Sequence, residues 1–299
     1  MVYVFPTTVY MLAAGLLRLG PGYSCTLRCP TPSECAGQPL AHKPIAAARM
    51  AGKPRAAVSF TGGKDCIWAL HKVACSYDIV ALAIFHPPNP QFRAHRIEFQ
   101  HIQAREGLGL PLSMYTVDAS QTNGDYRQAY ALALHELRIE HQITHLVTGD
   151  IDLVGTMPYN FMTSVCEELV PDLKVLTPLW QQDRESLLYE MIPDMEIVIA
   201  CAKTPLDQSW IGRQLTADSL PEMKQLGIDL TGERGEYHSI VLHAPLFQKH
   251  LCLANVLAKE LIDQKGQKDG ERWWVLDEGT RLEVVGVVLP AKTHSVQTE

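Results

Sequence analysis

The 299-residue chain contains no run of 18 or more apolar residues, so no segment reads as a membrane-spanning helix. It lacks any Cys-x-x-Cys pair. Cys25, Cys29 and Cys35 cluster near the start, but no histidine stands at metal-ligand spacing to them, which argues against a zinc site. The other five cysteines (Cys66, Cys75, Cys166, Cys201 and Cys252) lie scattered among apolar neighbours, the usage of reduced thiols, and point to a cytoplasmic protein. Basic charge is in deficit: 26 Lys and Arg against 33 Asp and Glu give a net charge of −7. That balance argues against broad nucleic-acid contact, which needs clustered cations to neutralise phosphates. No internal repeat occurs. A 46% hydrophobic and 20% charged composition describes a globular chain, long enough for one large or two modest domains.

Acidic residues are almost missing from the first fifty positions, where Glu34 stands alone against Arg18, Arg28, Lys43 and Arg49. An acid-poor presequence is one reading. The simpler expectation is a disordered extension over 1–50, or translation that begins at Met50.

What the chain does have begins at Val58-Ser-Phe-Thr-Gly-Gly-Lys-Asp-Cys66: a short apolar run, two glycines, a lysine and an acidic residue that opens a helix. Gly62 and Gly63 let backbone approach an anion closely. The helix that follows, with Ile67, Leu70 and Ala74 on one face, aims its N-terminal amides at the same point, and Lys64 adds a full positive charge. The spacing is neither that of a Walker A loop nor of a G-x-G-x-x-G fingerprint.

From Arg55 onward strand and helix patterns alternate. Strands are expected over 56–60, 79–85, 112–117 and 144–148, the second a continuous apolar run of the kind buried on both faces. Phe92, His95, Phe99 and Ile102 fall at helical spacing, with Gly107 and Gly109 as the stop; His95 reads as a packing residue. Strands joined by helices of this length predict a parallel α/β sheet with right-handed crossovers and ligands at the strands' carboxyl ends. Both Gly62-Gly63 and Gly149-Asp150 fall at such ends. The second half is less regular: helices over 160–169, 184–192 and 220–226, strands over 174–176, 196–200 and 239–242, and a last one over 284–289. Its most informative segment is Thr231-Gly-Glu-Arg-Gly-Glu-Tyr237, where Glu233 and Glu236 sit in a glycine-broken loop ahead of a strand. Carboxylates placed at a polyphosphate site either hold Mg²⁺ or bind and orient an attacking amine.

The Thr61–Cys66 loop resembles the Ser-Gly-Gly-Lys-Asp-Ser pyrophosphate loop of the PP-loop ATP pyrophosphatases, with Thr61 and Cys66 in place of the two serines. The whole pattern is similar to the diphthine–ammonia ligase family within that superfamily. The carriers are Gly149-Asp150-Ile151, Val165-Cys-Glu-Glu-Leu169, Pro178-Leu-Trp180 with Leu187, Leu188 and Met191, Leu206-Asp207 through Gly212-Arg213, the 231–237 stretch, and Ala244-Pro-Leu-Phe247, in order over residues 57–250. The resemblance implies an adenine nucleotide α-hydrolase-like fold over 51–155, a family-specific substrate subdomain over 156–250 of smaller α/β character, and a tail over 251–299 with one or two strands. It implies ATP and Mg²⁺ as cofactors, ammonia as second substrate, and elongation factor 2 as protein partner: ATP adenylylates the diphthine carboxylate, pyrophosphate leaves, and ammonia displaces AMP. Ser59, Thr61, Gly62, Gly63, Lys64, Asp65, Cys66, Gly149 and Asp150 are the expected nucleotide contacts, Asp65 and Asp150 the expected Mg²⁺ ligands, and Lys64, Asp65, Glu233 and Glu236 the expected catalytic groups. Cys66, at a helix N-terminus, is also in a position where a thiol pKa can be depressed. One departure is plain. The family's Tyr-Gln-Arg-x-Arg run after Gly-Asp is replaced here by Thr156-Met-Pro-Tyr-Asn-Phe-Met162, which carries no basic residue. A family member acting on another substrate, or a nucleotide-binding regulator without catalysis, is the alternative.

Overall fold

The computed structural model describes residues 52–88, 96–153, 157–261 and 270–287. The extension over 1–50, Phe92 and His95 of the expected helix, and Thr156 lie outside these residues. The first half builds β1 (Arg55–Ser59), α1 (Lys64–Val73), β2 (Asp78–His86), α2 (Ile97–Ile102), β3 (Leu112–Thr116), α3 (Tyr126–His141), β4 (His145–Val147), α4 (Phe161–Leu169) and β5 (Lys174–Leu176). Its five strands pair in parallel in the order β3-β2-β1-β4-β5. The parallel sheet with flanking helices predicted from the alternation is therefore present. Between β1 and β4 the winding direction reverses, and the crevice beyond the carboxyl ends of those two strands is where such sheets bind ligands.

Period-2 alternation explains how both faces of this sheet are covered. Ala56, Val58, Leu82 and Val147 point to one side, into a core shared with Ile67 and Leu70 of α1. Ala57, Ala81, Ala83 and Leu146 point to the other, against Tyr130, Leu134 and Leu137 of α3 and Val165 of α4. The small alanines let the helices lie close to the strands. Asp125 and Asn160 cap α3 and α4 by accepting the backbone N–H of Gln128 and Thr163 respectively.

The second half adds α5 (Arg184–Met191), β6 (Glu196–Lys203), α6 (Leu220–Gln225), β7 (Tyr237–His243), β8 (Lys249–Ala254), β9 (Ala258–Leu261), β10 (Trp273–Leu276) and β11 (Arg281–Val287). These strands pair in an antiparallel sheet, β7-β6-β10-β9, and a two-stranded ribbon, β11-β8. Leu187, Leu188 and Met191 of α5 and Ile197, Ile199, Ile240 and Val241 of the antiparallel sheet join the same core as α1. Trp273 and Trp274 are buried in β10. Cys66, Cys75, Cys166 and Cys201 are free thiols. Cys252 departs from that expectation and is disulfide-bonded. Among the described residues no helix is long and apolar enough to cross a membrane.

A side-chain clip joins the two halves. After α2 the helix widens into a π turn over Gln103–Leu108, an irregularity common at functional sites. It carries Gln103 inward, where the amide is 1% exposed and its Nε2 donates to the carbonyls of Gly62 (2.9 Å) and Val241 (2.8 Å). The N–H of Val241 donates to the same Gly62 carbonyl at 3.2 Å. A buried carbonyl stripped of its donor is costly. Gln103→Leu is therefore expected to lower stability by about 1–3 kcal/mol, measured by urea denaturation; an unchanged midpoint would show that the clip carries no weight.

Candidate functional site

The loop from Thr61 to Cys66 leaves β1 where the parallel sheet switches direction. Gly62 takes φ +79°, a left-handed conformation that a side chain disfavours, and a Cβ there would strike Gln103 Oε1 at 2.0 Å. Gly149, at the end of β4, faces the first turn of α1 so closely that a Cβ would lie 2.6 Å from Cys66 N. The two glycine-bearing segments thus meet at the switch point, as the strand-end reading predicts. Ser59 is set back, buried within β1. Thr61 serves the loop itself: its Oγ1 accepts the Gly63 N–H at 3.4 Å and donates to Cys66 Sγ at 3.6 Å.

Lys64 does not extend into solvent. It is 2% exposed, and its Nζ donates to Asp65 Oδ2 at 2.8 Å and to the carbonyl of Thr231 at 2.6 Å, with the Tyr237 ring centroid 5.3 Å away. Burial alone works against an ammonium, yet Asp65, Tyr237 and Glu233 together outweigh it and its pKa is raised. Its backbone N–H donates to Ser239 Oγ of β7 at 3.1 Å. The 231–237 segment is therefore brought onto the loop from 167 residues away.

Behind the lysine runs a chain of polar contacts. Asp229, buried, accepts at Oδ1 from the N–H (2.9 Å) and Oγ1 (2.7 Å) of Thr231, and pairs through Oδ2 with Arg184. Arg184 also donates to Asp152 Oδ2 at 2.6 Å. One guanidinium thereby holds both the loop bearing Asp150 and the loop bearing Glu233. Neither Arg184 nor Asp229 stands out in the sequence, since each is a single charge in an unremarkable polar stretch.

Asp150 is half-buried, and loss of solvent raises its pKa, with repulsion from Asp65 in the same direction; hydrogen bonds to its Oδ2 from Asn160 Nδ2 (2.9 Å) and Thr148 Oγ1 (3.0 Å) oppose that. Glu233 also carries a large carboxylate shift. Loss of solvent and the nearby Asp65 push it up to about 7, against the pull of Lys64 and Arg184 and with a further push from Asp150. Lys64, Asp65, Asp150 and Glu233 thus sit in one electrostatic neighbourhood. Glu236 faces elsewhere: its Oε1 accepts the Asp229 N–H at 3.0 Å, bracing the turn, and its buried Oε2 accepts no hydrogen bond among the described residues. Cys66 corrects the sequence reading. Its thiol is buried, donates to the Gly63 carbonyl at 3.2 Å, and is pushed up by that burial, so it stays protonated.

For Mg²⁺ the residues fit in part by themselves. Among the described residues no group of three His, Cys, Asp or Glu is arranged to hold a metal. Asp65 Oδ1, however, is buried and accepts no hydrogen bond among the described residues, and the two donors to Asp150 both go to Oδ2. Two acidic residues with an open oxygen each suit an ion that usually takes one or two carboxylates and completes its shell with substrate phosphates and water.

With that geometry in hand, similarity to known proteins is informative. The model of the diphthamide synthase N-terminal domain matches residues 54–175 and that of the diphthamide synthase C-terminal domain residues 183–282, a division that falls just after β5. The diphthine–ammonia ligase of Schizosaccharomyces pombe is 29% identical over 225 residues, 68% of this chain but 36% of that protein. The human diphthine–ammonia ligase is 28% identical over 224 residues, 67% of this chain and 82% of that protein. A solved structure titled as a predicted subunit of tRNA methyltransferase from Methanocaldococcus jannaschii overlaps 64% of this chain and 97% of its own, with a TM-score of 0.37 and 14% identity.

Glu233 gives the site a pH signature. A carboxyl whose native pKa lies above its ordinary 4.5 binds its proton more tightly when folded. Its contribution to stability is complete below the ordinary value and is lost as pH rises through about 7. Glu233→Gln removes that dependence. The variant should melt higher than the unsubstituted protein by on the order of a few degrees at about pH 8, with the gap closing toward about pH 4. Differential scanning calorimetry across that range is the check, and parallel curves would contradict it.

Proposed function

The chain belongs to the diphthamide synthase family, and on that premise we propose that it is an ATP-dependent, AMP-forming amide ligase that adenylylates the diphthine carboxylate of elongation factor 2 and passes it to ammonia. The observation that carries the proposal is the meeting of Lys64, Asp65, Asp150 and Glu233 at the switch point of the parallel sheet, beside the Gly62-Gly63 turn.

A carboxylate becomes an acyl donor only when one of its oxygens is made a good leaving group. Attack on the α-phosphate of ATP does this and releases pyrophosphate. The amides at the start of α1 and the Lys64 ammonium carry positive charge opposite the departing group, in a site where low exposure makes such charge count for more than in water. Asp65 and Asp150 would hold Mg²⁺ through their open oxygens, and the ion would supply charge neutralisation to the phosphates. Arg184 fixes the relation between the two acidic loops. Glu233, with a pKa near 7, is suited to draw in ammonium and accept a proton from it, since a general base works best when its pKa lies near the working pH. The role given to Glu236 is to hold the turn that presents Glu233.

A second reading rests on the segment after Asp150. Phe161 and Met162 are packed in the core against α3, and Tyr159 is exposed with Arg127 of α3 5.8 Å from its ring. With no basic residue of its own there, the chain offers a different face to an acceptor than the arginine run would, which favours a carboxylate other than diphthine on the same ATP chemistry.

Incubation with ATP, ammonium and diphthine-bearing elongation factor 2 separates these readings. AMP, pyrophosphate and an amidated factor are expected. Nucleotide binding with no turnover would mean a regulator, and turnover only with another carboxylate would move the substrate assignment. Within the ligase reading, Glu233→Gln should keep ATP–pyrophosphate exchange within about tenfold while amide formation falls roughly 100- to 10,000-fold. Equal loss of both activities would remove Glu233 from the ammonia step.

A further inference from the structure

Asn160 stands between the acceptor-side segment and the ATP site, and its single carboxamide does two jobs. Its Oδ1 accepts the Thr163 N–H at 2.9 Å, capping α4, and its Nδ2 donates to Asp150 Oδ2 at 2.9 Å. The orientation of the amide is fixed by these partners, because a backbone N–H requires the oxygen and a carboxylate requires the NH₂. Thr148 Oγ1 donates to the same Asp150 oxygen at 3.0 Å. Both donors therefore converge on Oδ2, which leaves Oδ1 without a hydrogen bond among the described residues.

We propose that Asn160 is a positioning residue: anchored by the start of α4, it locks the Asp150 carboxylate in the rotamer that presents Oδ1 to a divalent cation shared with Asp65. The inference deepens the ligase reading and rests on its assignment of Asp65 and Asp150 as cation ligands. Three features make the arrangement more than a helix cap. Capping needs only one acceptor atom, and serine or threonine would provide it. The second bond reaches ten residues back in sequence to a strand end. Asp65, whose charge acts on Asp150, has a buried Oδ1 that accepts no hydrogen bond among the described residues, which leaves an acceptor for a cation. Groups that hold a ligand's carboxylate in place typically matter 10–100-fold for metal affinity.

The test uses the full chain and a readout that does not depend on turnover. Mn²⁺ serves as the probe, titrated by electron paramagnetic resonance with α,β-methylene-ATP present. Asn160→Ser retains a good N-cap and loses the donor to Asp150. It should keep the melting temperature within about 2 °C, while the affinity for Mn²⁺ falls roughly 10- to 100-fold and the Mg²⁺ concentration needed for half-maximal ATP–pyrophosphate exchange rises by a similar factor. Asn160→Thr, also a good cap, repeats the measurement if the serine variant does not fold. Asn160→Ala, which loses the cap as well, should lower both stability and affinity. Wild-type Mn²⁺ affinity in a folded serine or threonine variant overturns the proposal. Loss of Mn²⁺ affinity in that variant, with an unsubstituted protein that binds nucleotide and Mn²⁺ but never turns over, sustains the positioning role and instead overturns the ligase reading.

Discussion

The buried ammonium of Lys64 is the constraint around which the rest of the site is arranged. A charge removed from water is tolerated only when it is paired and hydrogen-bonded. Here one partner, Asp65, is the next residue, but the other, the Thr231 carbonyl, comes from the far half of the chain. The need to satisfy Lys64 thereby draws the 229–237 segment onto the loop. Thr231 is in turn fixed by Asp229, and Asp229 by Arg184. Loss of any one of these leaves a buried charge or carbonyl exposed to low dielectric without a partner, so the halves of the molecule are coupled through a few polar groups as well as through the apolar core they share.

Acidic charge outweighs basic charge at the same place. Asp65, Asp150 and Glu233 face Lys64 and Arg184, and Asp229 already engages the arginine. The excess has to be absorbed, and Glu233 absorbs it by holding a proton up to about pH 7. A proton on Glu233 and a cation at Asp65 and Asp150 are therefore alternatives in part. Charge added at the acidic pair stabilises the ionised form of Glu233. Arrival of a divalent cation there would thus favour the ionised glutamate, the form that the proposed ligase reading needs. That coupling follows from Coulomb attraction alone and requires no movement of the backbone.

Much of this was legible in the sequence, for identifiable reasons. The apolar run at 79–85 and the Gly62-Gly63 and Gly149-Asp150 strand ends are local signals of period and composition, and they specified the parallel sheet and its ligand edge. The 231–237 glutamates could be picked out as candidate site residues, but the different surroundings of Glu233 and Glu236 could not, because these depend on which of them meets the Asp229 amide. Gln103, Ser239, Arg184 and Asn160 were missed for the same reason: each acts through a partner distant in the chain, and neither hydropathy nor spacing encodes that partner. The thiol of Cys66 shows the converse error. A helix N-terminus lowers a thiol pKa by its dipole, yet burial among Ile67, Leu70 and the strand residues outweighs the dipole and keeps the proton in place.

The position of Asn160 bears on how such a site can change its substrate. The residues from Ile151 to Thr163 supply neither arginine nor lysine. The same segment reaches back through the Asn160 carboxamide to the Asp150 carboxylate. On the proposed ligase reading, activation chemistry and acceptor choice would therefore be coupled through Asn160. A substitution that reshapes the acceptor face also shifts the anchor of Asp150, and it is tolerated only if another donor restores that anchor. In this chain that donor is the neutral Asn160 side chain, which also caps α4. Asp150 thus takes its hydrogen bonds from two neutral groups, Asn160 and Thr148, and the positive charge nearby is that of Lys64 and Arg184.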